Sequence, residues 1–149
     1  MKLWHKDLII YLPKVQLIEQ WEDCYHILEV LLNKGTLDNV SVNKILNYPL
    51  THFASYTYAV LVEIRKREYD LDANSLVLFI NNLFKLKDYF THTCEEMEIY
   101  EGWHNDDYLK ECLHSLERQV NIGNISMEDW SIIYDRFKNI TSLYKPSNT

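Results

Sequence analysis

Apolar side chains return at helical spacing through five windows of this chain, and that rhythm constrains its fold more than any other feature. The first window runs from about Lys14 to Asn33, with Leu17, Ile18, Trp21, Tyr25, Leu28 and Leu32 on one side. Pro13 suits the first turn of that helix and Gly35 its end. The second starts at Pro49, carries Leu50, Phe53, Ala54, Tyr58, Leu61 and Val62, and closes in Arg65-Lys66-Arg67, cations that offset the negative helix end. The third, about Asn74 to Phe90, presents Leu76, Phe79, Ile80, Leu83, Leu86 and Phe90. A polar connection leads to Asn105, an N-cap followed by Asp106 and Asp107, and to the stripe Leu109, Cys112, Leu113, Leu116 and Val120. After a turn at Asn121 to Asn124, Ser126 caps the fifth helix with Asp129 in the capping-box place. Its stripe is Trp130, Ile133, Tyr134, Phe137 and Ile140. Asn39 to Tyr48 reads either as a short helix or as an irregular crossing segment. The expectation is an all-α fold, a compact single-domain bundle of about five helices over residues 1–145 with a polar tail at 146–149.

Composition narrows the class of protein. With 149 residues, 47% hydrophobic and 25% charged, the chain can bury a core, which argues against disorder. The apolar run Leu8-Ile9-Ile10-Tyr11-Leu12 is too short to span a bilayer and lacks a signal-peptide cleavage site, so a cytoplasmic location without membrane partner is expected. Cys24, Cys94 and Cys112 read as reduced thiols filling core space. The net charge of -7 is unevenly spread. Acids crowd Glu95, Glu96, Glu98, Glu101, Asp106, Asp107 and Glu111, while bases gather at Lys2, Lys6, Lys14 and residues 65–67. An acidic total weakens long-range attraction to phosphate but leaves a local basic face able to bind it.

No Gly-rich phosphate loop, serine elbow, Cys-x-x-Cys or His-Glu-x-x-His is present, which removes most nucleotide-driven and zinc enzymes. His92, Cys94, His104 and Cys112 are ligand types in a spacing zinc seldom uses, and the expectation is no metal and no cofactor. Trp4, Tyr48, Tyr56, Tyr100 and Trp103 fall off the stripes; they read as packing residues, with stacking on bases as the alternative. Lys2 disfavours removal of the initiator, so the α-amine should belong to Met1. Such an amine titrates near pH 8 and is partly neutral and nucleophilic at pH 7, where a lysine needs a depressed pKa.

Met1-Lys2-Leu3-Trp4-His5, Asp7-Leu8-Ile9 and Leu12-Pro13 together resemble the opening of bacterial members of the pyrimidine-dimer DNA glycosylase family, relatives of phage endonuclease V. The likeness continues at Gln16-Leu17, Gln20, Ser41-Val42-Asn43, Tyr48-Pro49, Tyr58, Glu63, Lys66-Arg67 and Tyr69. A weaker echo lies at Tyr100, Trp103-His104-Asn105, Tyr108-Leu109, Cys112 and Leu116. The resemblance covers about half the chain and implies an all-α fold. It also implies a mechanism. The N-terminal amine attacks the sugar carbon of a damaged, unstacked nucleotide, expels the base and leaves an imine, whose β-elimination nicks the strand. Carried over, the amine is that of Met1 and the assisting carboxylate is Asp23, with Glu22 beside it. Lys2, His5, Lys14, Arg65, Lys66, Arg67 and Arg118 become the DNA contacts, although His5 also reads as a packed edge histidine supporting the N-terminus. Where the family pattern has Arg followed by Glu, this chain has Glu22 and Asp23; Ser115 and Gln119 stand where bases are expected beside Arg118. The implied partner is damaged duplex DNA. The alternative is a non-catalytic relative binding a basic protein through its acidic face.

Overall fold

The computed structural model describes residues 2–34, 43–85 and 98–146, and among these it contains no strand. Its α-helices are α1 (Lys14–Lys34), α2 (Leu50–Lys66), α3 (Ala73–Lys85), α4 (Asp106–Asn121) and α5 (Met127–Phe137). Two 3-10 helices, Lys6–Tyr11 and Lys44–Asn47, complete the described elements. The fold is all-α, and each α-helix falls in one of the five periodic windows. Residues 86–90 of the third window and 39–42 of the ambiguous segment lie outside the described residues.

The helix ends follow local chemistry. The Asn105 side chain accepts from the Tyr108 N–H at 2.9 Å and Ser126 Oγ from the Asp129 N–H at 3.1 Å, satisfying donors that α4 and α5 would otherwise leave open. At the far end of α4, Gly123 takes a positive φ of 85°. The Asn124 N–H then reaches the Gln119 carbonyl at 2.8 Å, and the Gly123 N–H reaches that of Val120 at 3.0 Å. Helix α2 closes with the same pair of bonds, Tyr69 to Ile64 at 3.1 Å and Glu68 to Arg65 at 3.0 Å, without a glycine. Glu68 stands there at φ 59°, a conformation costing a non-glycine residue about 1 kcal/mol. The reversal brings Tyr69 back beneath two cations, with Lys14 Nζ 5.0 Å and Arg67 Cζ 5.9 Å from its ring.

Helix α1 packs against both α2 and α3, and Leu17, Trp21, Cys24, Ile27, Leu28 and Leu31 form its buried face. The inward face of α2 differs from the expected stripe. Phe53, Tyr56, Thr57, Val60, Glu63 and Ile64 are buried, whereas Tyr58 and Val62 are exposed. Thr57 and Glu63 can face inward because each is satisfied locally: Thr57 Oγ1 donates to the Phe53 carbonyl, and Glu63 pairs with Arg67. Ile80 of α3 is likewise exposed, while Phe79 beside it is buried as the stripe expected. The apolar run Leu8 to Leu12 forms most of the 3-10 helix Lys6–Tyr11 and its cap Leu12, packed on α2 with Leu8, Ile9 and Leu12 buried.

Candidate active site

Ahead of that 3-10 helix, Leu3, Trp4 and His5 are buried but belong to no helix and no sheet. Their peptide groups therefore need side-chain partners, since an unpaired buried N–H or C=O is costly. The partners come from α1, α2, α4 and the residue His104 just ahead of α4. The Lys2 N–H donates to Asp23 Oδ2 at 3.1 Å, and the Lys2 carbonyl accepts from Gln20 Nε2 at 2.8 Å. Tyr108 of α4 donates its hydroxyl to the Leu3 carbonyl. The Trp4 N–H donates to Gln20 Oε1 at 2.8 Å, and the Trp4 carbonyl accepts from the Tyr56 hydroxyl at 2.6 Å. The Lys6 N–H donates to His104 Nδ1 at 2.9 Å. Residues 2–6 thus lie in a groove between α1, α2 and the start of α4, held by side chains instead of a neighbouring strand.

Met1 lies outside the described residues. Of the remaining acid candidates, Asp23 is half-buried and bonded to the Lys2 amide, while Glu22 is exposed on an adjoining face of α1, about 100° around the axis. Lys2 itself holds its ammonium 4.2 Å from the centroid of the Trp4 ring. His5 is turned inward: its Nε2 donates to the His104 carbonyl at 2.9 Å and its Nδ1 accepts from the Asp7 N–H at 3.1 Å, so both nitrogens are occupied within the fold. Burial holds the His5 pKa below its ordinary value, and the imidazole is neutral.

The basic candidates separate into three groups. Lys14 is exposed at the start of α1, nine residues from Asp23, which puts the two side chains on opposite sides of the helix. Arg65 and Lys66 are exposed at the end of α2. Arg118 is exposed on α4, next to Gln119, whose Oε1 accepts from Gln16 Nε2 of α1 at 2.8 Å. Arg67 is different in kind. Its Nε donates to Glu63 at 2.9 Å, and its other guanidinium nitrogens donate to the carbonyls of Leu12 at 2.6 Å and Ile10 at 3.0 Å. It ties the end of the 3-10 helix to α2. Arg67→Ala should therefore lower unfolding free energy by about 2 to 3 kcal/mol, because it leaves a carboxylate and two carbonyls without their charged donor. Arg65→Ala and Lys66→Ala should stay within about 0.5 kcal/mol of the parent. Urea midpoints of the three variants test this, and an unchanged midpoint for Arg67→Ala would refute the staple.

A second group of aromatic side chains closes over the N-terminal segment from the far side. Tyr56, Tyr100, Trp103 and Trp4 are buried and Tyr48 is half-buried, so these residues pack. The Tyr100 ring lies 4.7 Å from Trp103 and 5.1 Å from His104, and Tyr48 stands edge-on to Tyr100 at 5.2 Å. Burial, reinforced by His5, Lys6 and Lys44, holds the His104 pKa down to about 3. The Cys24 thiol is pushed up to about 12, chiefly by burial, which makes it a packed and unreactive group. His92 and Cys94 lie outside the described residues, and among the described ones no group of three His, Cys, Asp or Glu could hold a metal ion. No described helix is long and apolar enough to cross a membrane.

Comparison with protein-family models matches residues 1–76, just over half of the chain, to pyrimidine dimer DNA glycosylase. The chain belongs to the pyrimidine dimer DNA glycosylase family. No curated protein and no solved structure matches it. The part of this glycosylase-family chain that matches holds α1, α2, Lys2, Gln20, Asp23 and Tyr56. His104, Tyr108 and Arg118 come from beyond it. Sequence reasoning placed Asp23 near the N-terminus by resemblance alone, read Tyr56 as a packing residue and His104 as a ligand type, and gave Gln20 and Tyr108 no role beyond the likeness. One signal for Gln20 was available. Gln16 and Gln20 lie at i and i+4 beside the apolar stripe of α1, where polar side chains are buried only with partners.

Proposed function

We propose that this protein is a DNA repair glycosylase with AP lyase activity, acting on pyrimidine dimers or abasic sites in duplex DNA. The observation that carries the reading is the Asp23 carboxylate 3.1 Å from the backbone nitrogen of Lys2, on a segment held at the Lys2 and Leu3 carbonyls, both polar groups of Trp4 and the Lys6 N–H. The Met1 α-nitrogen is three bonds from that nitrogen, so covalent geometry keeps it within about 4 Å of it and roughly 7 Å of the carboxylate oxygen. A sugar carbon placed between two groups at such a separation is within reach of both. The neutral amine forms a bond to C1′ as the C1′–N bond to the base breaks, and the base departs with a proton. Loss of an amine proton and opening of the sugar give an imine. Removal of a C2′ proton then breaks the C3′–O bond, so that the downstream strand leaves with a 5′ phosphate and the unsaturated sugar stays on the imine, which nicks the strand. Asp23 is suited to stabilise positive charge at the sugar and to carry these protons. Lys2, Lys14, Arg65, Lys66 and Arg118 supply exposed or half-exposed cations for phosphate.

The test is borohydride trapping on a duplex with one abasic site, comparing the parent chain with a form whose α-amine is blocked and one carrying extra residues before Met1. A covalent adduct with the parent alone is the expected result. The exposed Glu22 and the net charge of -7 favour a second reading, a non-catalytic relative that binds a basic protein. No adduct from the parent, together with no DNA retention at low salt, would decide for that reading.

A further inference from the structure

We propose that Gln20 is the positioning residue of this site, its carboxamide setting the register in which residues 2–4 present the N-terminus to Asp23; this rests on the function proposed above. Gln20 is 1% exposed and has both ends of its amide committed. Its Oε1 accepts from the Trp4 N–H at 2.8 Å and lies 3.0 Å from the Tyr56 hydroxyl, while its Nε2 donates to the Lys2 carbonyl at 2.8 Å. Flipping the amide would set Nε2 against the Trp4 N–H and Oε1 against the Lys2 carbonyl, so one orientation is enforced. Accepting from residue 4 and donating to residue 2 brackets Leu3 as a parallel strand brackets a residue of its neighbour. A single side chain therefore does for this segment what a sheet would do.

Asp23 follows Gln20 at i+3 on the same helix, so the grip and the acid share one rigid turn of α1. The Tyr56 hydroxyl, 2.6 Å from the Trp4 carbonyl and 3.0 Å from Gln20 Oε1, braces both from α2. Gln16, one turn earlier and equally buried, supplies a natural comparison, because it bonds Gln119 of α4 and touches no atom of the N-terminal segment through a hydrogen bond.

The experiment compares Gln20→Met and Gln16→Met in the full chain, each a volume-conserving change that deletes an amide. Two readouts are taken: single-turnover borohydride trapping over a range of abasic duplex concentrations, and hydrogen exchange at the Trp4 amide. Gln20→Met should slow the saturating trapping rate at least about tenfold, since displacement by about 1 Å can cost a hundredfold. The half-saturating DNA concentration should move less than about threefold, and Trp4 exchange should accelerate. Gln16→Met should lose stability but keep the parent's trapping rate and Trp4 protection. Equal trapping by Gln20→Met and the parent, or an equal loss in Gln16→Met, overturns the proposal. A parent chain that traps nothing ends the repair reading instead; Trp4 exchange then decides the positioning role, and an unchanged rate in Gln20→Met ends that too. If Gln20→Met does not fold, Tyr56→Phe removes only the bracing hydroxyl. It should shift both readouts in the same direction by a smaller factor, and no shift counts against the proposal.

Discussion

Asp23→Asn should reduce the rate of imine trapping by about a hundredfold to ten-thousandfold, the range expected when a positioned acid–base group is removed. The substitution is chosen because an asparagine Oδ1 can still accept the Lys2 N–H that Asp23 now accepts at 3.1 Å. The segment should stay in its groove and thermal stability should change little, so the lost rate reports on charge and proton transfer. Glu22→Gln is the matched change one residue earlier, on a side chain that is exposed and has no described bond to the N-terminal segment. It should leave the chemical step within about threefold of the parent and strengthen DNA retention modestly, because it removes a negative charge facing phosphate. If Glu22→Gln carries the large loss and Asp23→Asn does not, the acid is Glu22 and the geometric assignment fails. Asp23→Glu adds the methylene by which this chain departs from the family pattern. In a groove fitted to aspartate it should displace the carboxylate from the Lys2 amide and slow the reaction.

The fold was legible because it rests on period and punctuation, both local properties of a sequence. Asn105 and Ser126 cap the helices they were expected to cap, and Gly123 ends α4 with the positive φ that its type allows. What escaped was the face of α2, where Thr57 and Glu63 point inward. A polar residue on a buried face is decided by a partner, and the partner of Glu63 is an arginine whose other bonds run to a segment more than fifty positions away in sequence. The site escaped for the same reason. Gln20, Tyr56, Tyr108 and His104 act on backbone atoms of residues 2–6, and nothing in the order of side chains announces which peptide group will lack a strand neighbour. The resemblance supplied Met1 and Asp23 as a pair; the geometry adds the groups that keep Asp23 against the start of the chain. It also separates Arg67 and His5, whose polar atoms are engaged inside the fold, from Lys14, Arg65, Lys66 and Arg118, which remain exposed.

Acidification should release that N-terminal segment through His104. Its Nδ1 accepts from the Lys6 N–H, so the ring must be neutral with its hydrogen on Nε2. Protonation would set two N–H donors against each other in an interior that also holds the neighbouring His5, with Lys6 and Lys44 opposing added positive charge. Tyr56, Tyr100 and Tyr108 pack around the ring, and burial raises the pKa of each, so they offer no anion to compensate. The sign follows from the lowered folded pKa. The unfolded chain binds a proton near pH 6.5 and the folded one near 3. The stabilising contribution of neutral His104 is therefore complete above pH 6.5 and is lost as pH falls toward 3. At about 1.4 kcal/mol per pH unit, lowering the pH from 6.5 to 4 should remove roughly 3 kcal/mol of stability through this residue. His104→Gln keeps an acceptor for the Lys6 N–H and lacks the titration. Urea unfolding at pH 7 and pH 4 should show the parent losing more than the variant by that amount, and trapping activity should survive acid better in the variant. Parallel stability curves for the two would place His104 outside the groups that set acid stability. The lowered pKa of His5, buried beside it and accepting from the Asp7 N–H, would then be the next to test, because it acts with the same sign on the same stretch of backbone.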